Sequence, residues 1–201
     1  HILLAAKSGQ AIRFKVEGVR VFKSRASTGV RGMKFKNKDD QVVSLSIISG
    51  AEFDVEKRAA FLKIPVELRM QIAENPEAVG QVDSTILSII NAEEIAKFAR
   101  DEDFILTVTE NGFGKRSSAY EYRITNRGGS GIVNIVTSDR NGAVIGSFPA
   151  EDNDELILAT DKGKLIRTLV NEIRVAGRAT QGVTILKVAD GEKVVSATRI
   201  Q

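Results

Sequence analysis

The chain has 201 residues, 29 Lys/Arg against 26 Asp/Glu for a net charge of +3, and a 42% hydrophobic fraction, enough for one large domain or two small ones with a buried core. It has no cysteine and one histidine, His1, which excludes disulfide frameworks, thiolate zinc sites, cysteine nucleophiles, histidine metal clusters and a Ser-His-Asp triad. No apolar run approaches the roughly 20 residues of a membrane helix, and no signal segment opens the chain.

The opening residues, HILLAAKSG, have the character of the middle of a strand, and there is no initial Met; the sequence is expected to be a piece of a longer protein. The lack of cysteine suits a reducing, cytoplasmic setting. Along the chain the small net charge resolves into a cancellation. Residues 1–48 hold ten Lys/Arg and three Asp/Glu, a net of +7, and residues 49–103 hold six and twelve, a net of −6. Residues 104–201 hold thirteen and eleven, a net of +2. The outer segments are rich in Val, Ile, Thr and Gly, and the middle one in Ala and Glu.

The first segment starts with an apolar strand, a tight turn ending at Gly9, and a second strand, ILLAAKSGQAIRF. The same pattern returns at 105–117 around Gly112 and at 156–168 around Gly163. Each turn glycine is followed at +4 by an arginine (Arg13, Arg116, Arg167) and at +11 by another (Arg20, Arg123, Arg174). An R-x-x-x-G-[VI] box follows, opened by Arg25, Arg127 and Arg178. A second hairpin signal then precedes a closing apolar strand, VVSLSI, AVIGSF or VVSATRI. Four short strands per unit is the content of a propeller-type blade. The predicted fold is therefore mainly β, with blades of four antiparallel strands at 2–48, 104–150 and 151–201.

Residues 49–103 interrupt this series and read as a helical, acidic insertion. Asp54 can cap VEKRAAFLK, Pro65 suits a first helical position, and Asn91-Ala-Glu-Glu94 forms a capping box before IAKFAR. Its apolar residues Phe53, Phe61, Leu62, Leu68, Met70, Ile72, Ile86 and Ile90 are expected to pack it onto a blade.

The nine arginines at matched offsets are the strongest chemical signal, because repeated blades would set them repeatedly around one rim. A curved track of cations holds duplex DNA through its phosphates, without regard to base sequence. The candidate DNA-binding residues are Arg13, Arg20, Lys23, Arg25, Arg31, Lys115, Arg116, Arg123, Arg127, Lys162, Lys164, Arg167, Arg174 and Arg178. A second reading stays open for two sets. Arg13, Arg116 and Arg167 could pair within a blade with Glu17, Glu121 and Glu172, and the R-x-x-x-G arginines could donate to carbonyls as loop staples. The +11 set is expected to be the most exposed.

Catalytic motifs are missing. Gly112-Phe-Gly-Lys115-Arg116 lacks phosphate-loop spacing and sits in a hairpin. Tyr120 and Tyr122 suit packing better than nucleophilic attack. Glu151, Asp152, Asp154 and Glu155 lack the pattern of a metal loop and are expected to form a solvated linker. No catalytic residue, metal site or bound cofactor is expected in these residues.

Three segments, ENGFGKRSSAYEYRITNRGGSGIVNI at 110–135, TDKGKLIRTLVNEIRVAGRATQGVTILKV at 160–188 and VRGMKFKNKDDQVVSL at 30–45, resemble the C-terminal DNA-wrapping domain family of DNA gyrase A, a β-pinwheel of six blades. The units look like the last three of the six. The resemblance implies sequence-independent binding and wrapping of double-stranded DNA within an ATP-dependent type IIA topoisomerase that introduces negative supercoils. It also implies a bacterial, nucleoid-associated cytoplasmic protein assembled from two gyrase A and two gyrase B chains. ATP and Mg2+ would be used elsewhere in that assembly. The basic, Gly-rich box of the family's first blade is not among these residues, and 49–103 is not part of the family pattern. Two alternatives are the corresponding C-terminal domain of topoisomerase IV and a protein-interaction propeller.

Overall fold

The computed structural model describes residues 1–49 and 54–200; Phe53, expected to help pack the insertion, lies outside them. The chain divides into two compact units, one of His1–Ile48 with Phe104–Gln201 and the other of Ser49–Asp103. Among the described residues no helix is long and apolar enough to cross a membrane.

The first unit is built from β1 (Ile2–Ala6), β2 (Gln10–Phe14), β3 (Val42–Ile47), β4 (Phe104–Thr109), β5 (Phe113–Ser118), β6 (Ile132–Val133), β7 (Val144–Pro149), β8 (Glu155–Thr160), β9 (Leu165–Leu169), β10 (Val183–Thr184) and β11 (Val194–Ile200). These make three antiparallel sheets in the orders β3-β1-β2-β6, β10-β5-β4-β7 and β11-β8-β9. The mainly β fold expected from the repeats is present, but the blades are not each made from their own repeat. The outer strand of a sheet comes from the following repeat: Ala11 pairs with Ile132, and Gly114 with Val183. The third sheet has three strands among the described residues.

The exchange has a local cause in each repeat. After β5 and β9 the chain makes a short 3-10 turn, then touches the previous repeat through parallel bridges, Ile124 to Arg13 and Val175 to Arg116. The next residues are thereby delivered to the free edge of the preceding sheet. Strands covered on both faces read as continuous apolar runs, and β1 is buried along its whole length. In β9, by contrast, residues alternate between exposed and half-buried, and Leu165 is 72% exposed.

The core lies in layers between sheets. Leu3, Ala5 and Ala11 pack with Ile105, Ala119 and Tyr122, joining the first and second repeats. Leu106 and Val108 pack with Leu156, Leu158, Val170 and Leu186, joining the second and third. A buried polar thread runs through the first of these junctions, where Thr107 Oγ1 and Asn134 Nδ2 share hydrogen bonds with Ser147 Oγ at 2.9 and 3.3 Å. Ser46 Oγ adds a bond to Ser147 O at 3.2 Å.

The second unit contains α1 (Val55–Phe61), α2 (Val66–Glu74), α3 (Ser84–Leu87), α4 (Ala92–Arg100) and a 3-10 turn at Pro76–Gln81. Asp54 caps α1 and the Asn91/Glu94 capping box opens α4, as their side-chain chemistry requires. Pro65 is the N-cap of α2 rather than its first helical residue. The 3-10 turn and α3, capped by Asn75 and Asp83, have too few residues to show periodicity. The apolar residues build a core inside the insertion: Phe61, Ile72, Ile86 and Ile90 are buried there, and the Phe61 and Phe98 rings meet edge-on at 6.1 Å. Arg69 pairs with Glu102 at 2.5 Å, and its guanidinium lies 5.3 Å from the centre of the Phe61 ring. The ends of the unit are clasped, with Ser49 N–H donating to Asp103 Oδ2 at 2.5 Å.

Gly112 and Gly163 occupy the same turn in successive repeats, with φ of +76° and +80°. A Cβ on Gly112 would collide with the carbonyl of Leu186, whereas a Cβ on Gly163 meets nothing within 4 Å. Gly163→Ala should therefore cost only the left-handed backbone term, about 1–2 kcal/mol. Gly112→Ala should cost clearly more, because the third repeat must also back away from β5. Urea midpoints of the two variants decide this; equal losses would contradict it.

Candidate nucleic-acid interface

The nine matched arginines separate into three groups according to what their guanidinium groups touch. In the +4 set, Arg13 Nη1 donates to Ala119 O at 2.8 Å, and Arg116 Nε donates to Ile173 O at 2.7 Å. Both side chains lie on inner strands and reach forward into the 3-10 turn of the next repeat. Arg116 also pairs with Asp152. Arg167, on β9, is exposed and pairs with Glu155 of its own hairpin. The glutamates suggested as partners are engaged elsewhere: Glu121 accepts from Arg178 N–H at 2.9 Å, and Glu172 from Thr168 Oγ1 at 3.0 Å.

The R-x-x-x-G set reaches the opposite way. Arg127 donates to Gly18 O at 2.7 Å and to Arg31 O at 3.1 Å, both in the first repeat. Arg178 donates to Val133 O of the second. The equivalent Arg25 is exposed. Each junction between repeats is thus closed by one arginine from each side. Carbonyls suit this role because the guanidinium presents several donors in a fixed fork and is always charged.

Lys115 is also committed internally. Its side chain is 0% exposed, and Nζ donates to Gly177 O at 2.6 Å and Arg178 O at 2.7 Å. Burial lowers its pKa from the ordinary lysine range to about 7, with nearby Glu121 opposing and Arg178 assisting the shift. Lys115, Arg13 and Arg116, all expected at a DNA surface, cannot reach a phosphate from these positions. Their positive charge is instead solvated by backbone of the next repeat.

The +11 set behaves differently. Arg20, Arg123 and Arg174 are exposed and form no ion pair among the described residues. Arg20 lies over the Phe22 ring at 5.4 Å. They sit just beyond the 3-10 turns, and at Arg123 and Arg174 the chain is leaving one sheet for the preceding one. Lys23 and Arg31 are exposed on the same long loop of the first repeat. Lys162 is exposed with Nζ on Asp190 O at 3.0 Å, while Lys164 pairs with Glu192 at 2.9 Å. The Glu192 carboxyl is held down at about 2, first by the Thr160 hydroxyl, then by Ala189 N–H and Lys164. Arg140, outside the matched offsets, is exposed with its guanidinium 4.9 Å from the Phe113 ring centre. Only its charge marked it in the sequence.

The residues tested as catalytic candidates are structural. Tyr120 and Tyr122 are buried, and Tyr122 donates its hydroxyl to Asn134 Oδ1, with burial raising its pKa. The segment 112–116 forms part of the β4–β5 hairpin. Asp152, Asp154 and Glu155 are not a free linker: they pair with Arg116, Arg199 and Arg167. No group of acidic residues and histidines among the described residues is arranged to hold a metal ion.

A neutral Lys115 amine still has two N–H groups for its two carbonyls, so deprotonation removes the buried charge without breaking either bond. The unfolded lysine keeps its proton to about pH 10, whereas the folded one loses it near 7. Between these values the unfolded chain binds more protons, and stability should rise with pH. Relative to Lys115→Met, the wild-type chain should gain stability from about pH 7 towards pH 10. A pH-independent difference in denaturation midpoint would contradict this.

A family model described as "DNA gyrase C-terminal domain, beta-propeller" matches residues 1–49, 103–151 and 154–201. The DNA gyrase A protein of Rickettsia bellii is 52% identical over 204 residues, covering 100% of this chain and 22% of that protein. The DNA gyrase A protein of Salmonella typhimurium is 34% identical over 200 residues, covering 100% of the chain and 17% of the relative. The chain therefore spans about a fifth of the length of these relatives. Among solved structures, a DNA gyrase A C-terminal domain superposes with a TM-score of 0.67 at 20% identity, covering 100% of this chain and 50% of that one. The C-terminal domain of DNA topoisomerase IV superposes with a TM-score of 0.68 at 19% identity, covering 100% and 46%. The strand-exchanged sheets, the repeated arginine junctions and a family match that takes in all three repeats lead to one assignment: this chain belongs to the DNA gyrase C-terminal domain family of beta-propellers.

Proposed function

We propose that the three repeats bind duplex DNA through its phosphates, and that within a longer DNA gyrase A protein they wrap DNA for a type IIA topoisomerase that introduces negative supercoils. The observation carrying this reading is the division of labour among the arginines. Arg13, Arg116, Arg127 and Arg178 are taken up by carbonyls of neighbouring repeats, while Arg20, Arg123 and Arg174 recur on the outside with no acidic partner among the described residues. Lys23, Arg25 and Arg31 add three more exposed cations in the first repeat. A partner-binding propeller has no need for an unpaired cation at the same place in every repeat, and the sequence relatives are DNA gyrase A proteins.

In this reading the three repeats supply binding and curvature, and DNA cleavage and ATP hydrolysis with Mg2+ belong to other parts of a complex of two gyrase A and two gyrase B chains. The setting would be the bacterial cytoplasm, in contact with the nucleoid. Arginine is suited to the task because its charge does not titrate and phosphate recognition by it needs no base contact.

Binding should be indifferent to DNA sequence, and log K against log[salt] should slope at about −0.9 per phosphate engaged. Arg123→Ala or Arg174→Ala should each flatten that slope by about one unit with little change in Tm. Arg116→Ala should do the reverse, lowering Tm by breaking a junction. A flat salt response, or Tm lost together with binding in the Arg123 and Arg174 variants, would overturn the assignment.

A further inference from the structure

We propose that the cleft between β2 and the loop at 125–131 is a seat for one phosphodiester of the DNA backbone, in which Arg123 supplies the charge and Asn126 and Ser130 supply neutral hydrogen bonds. The inference rests on the DNA-binding reading above and names, at one junction, the groups that hold a phosphate besides arginine.

The cleft has a volume of about 250 Å³ and lies where the second repeat crosses onto the first sheet, bordered by Ala11 and Ile12 of β2 and by Asn126, Gly129 and Ser130 of the loop. Two arginines border it and no carboxylate does. The Arg13 guanidinium is already held by Ala119 O at 2.8 Å. That leaves Arg123, exposed and without an ion pair among the described residues, as the cation a ligand can reach. The neighbouring cleft at Phe14, Gly18 and Arg127 contains Glu17 and lacks this bias towards anions.

Uncommitted donors accompany that cation. The side chains of Asn126 and Ser130 make no hydrogen bond among the described residues, and Gly129 N–H and Ser130 N–H have no main-chain acceptor there. Hydroxyl, amide and backbone N–H groups are the neutral groups that bind phosphate oxygens. The loop carrying them is fixed in advance: Thr125 N–H donates to Arg13 O at 2.9 Å, Lys34 N–H to Gly129 O at 2.9 Å, and Arg127 to Gly18 O at 2.7 Å. A site that is already ordered loses little freedom on binding. Gly129 itself is not demanded by the fold. Its φ is not positive, and a Cβ there would meet Ile12 Cδ1 at 3.5 Å, an ordinary contact on the cleft wall, whereas a Cβ on Gly131 would collide with Ala11 O at 2.3 Å. Packing thus accounts for Gly131, and close approach of a ligand to the backbone accounts for Gly129. Six residues after its own +11 arginine the third repeat has Thr180, turned back onto Gly177 O at 2.9 Å. A side chain therefore stands at the position in the third repeat that Gly129 leaves bare.

The test is a titration of duplex DNA against the whole chain, an Asn126→Ala, Ser130→Ala double variant, Gly129→Val and Arg123→Ala, at several salt concentrations and with Tm checking the fold. The double variant should bind about three- to tenfold more weakly with an unchanged salt slope, because an amide and a hydroxyl hold a phosphate without neutralising it. Gly129→Val fills the cleft, so it should lose at least as much affinity and also flatten the slope by about one unit, as Arg123 loses its phosphate too. On the Arg123→Ala background the double variant should cost little further, since the phosphate it serves has already gone. Parental affinity in the double variant overturns the inference and leaves DNA binding intact, and so does an undiminished cost of that variant once Arg123 has been replaced. Should Gly129→Val lower Tm, the double variant and its combination with Arg123→Ala still decide. If no form binds DNA in a salt-dependent way, the DNA-binding reading itself has failed, and the seat fails with it.

Discussion

Everything in the blade unit depends on one arrangement: a strand of each repeat completes the sheet of the repeat before it, and an arginine from each side closes the seam. Backbone hydrogen bonds fix the register, Gln10 with Val133 and Gly114 with Val183. The guanidinium groups of Arg13, Arg116, Arg127 and Arg178 then donate to main-chain carbonyls of the neighbouring repeat. At the buried Arg13 and Arg116, breaking such a bond strands a buried charge, which is costlier than losing a surface pair. The repeats therefore behave as nearest-neighbour units whose interfaces hold much of the stability.

This arrangement also explains how the two functions of arginine coexist in one repeat. Positions inside the seam are fixed by geometry and have no freedom to meet a ligand. The position just past the 3-10 turn lies outside the seam, and its side chain forms no ion pair among the described residues. A repeated fold thus yields a repeated exposed cation.

The repeat, its turn glycines and the antiparallel strands were legible because they depend on residues close in sequence: positive φ selects Gly9, Gly112 and Gly163, and alternation or continuous apolarity marks strands. The capped helices α1 and α4 were legible for the same reason. What was hidden is what depends on the neighbour. Nothing near Ile132 says that it pairs with Ala11 rather than with its own hairpin. Lys115 lies between a turn glycine and an arginine and looks like a phosphate ligand, and only the third repeat's carbonyls show otherwise. The arginine sets could be recognised as sets, and their partition into seam and surface could not, since the acceptors are main-chain atoms that any sequence supplies.

Strand exchange also sets the order in which the molecule can be completed as it leaves the ribosome. Ala11 must wait for Ile132, 121 positions later, whereas Phe113 waits for Thr184, 71 positions later. Most of that difference is the insertion. At a few to tens of residues per second, the edge of β2 stays open for roughly 10 s, and an open edge is a template for pairing with the wrong chain. An insertion with its own core, where Phe61 meets Phe98, can fold within that interval. The first sheet is therefore finished late, and the segment that delays it is one that can fold while it waits.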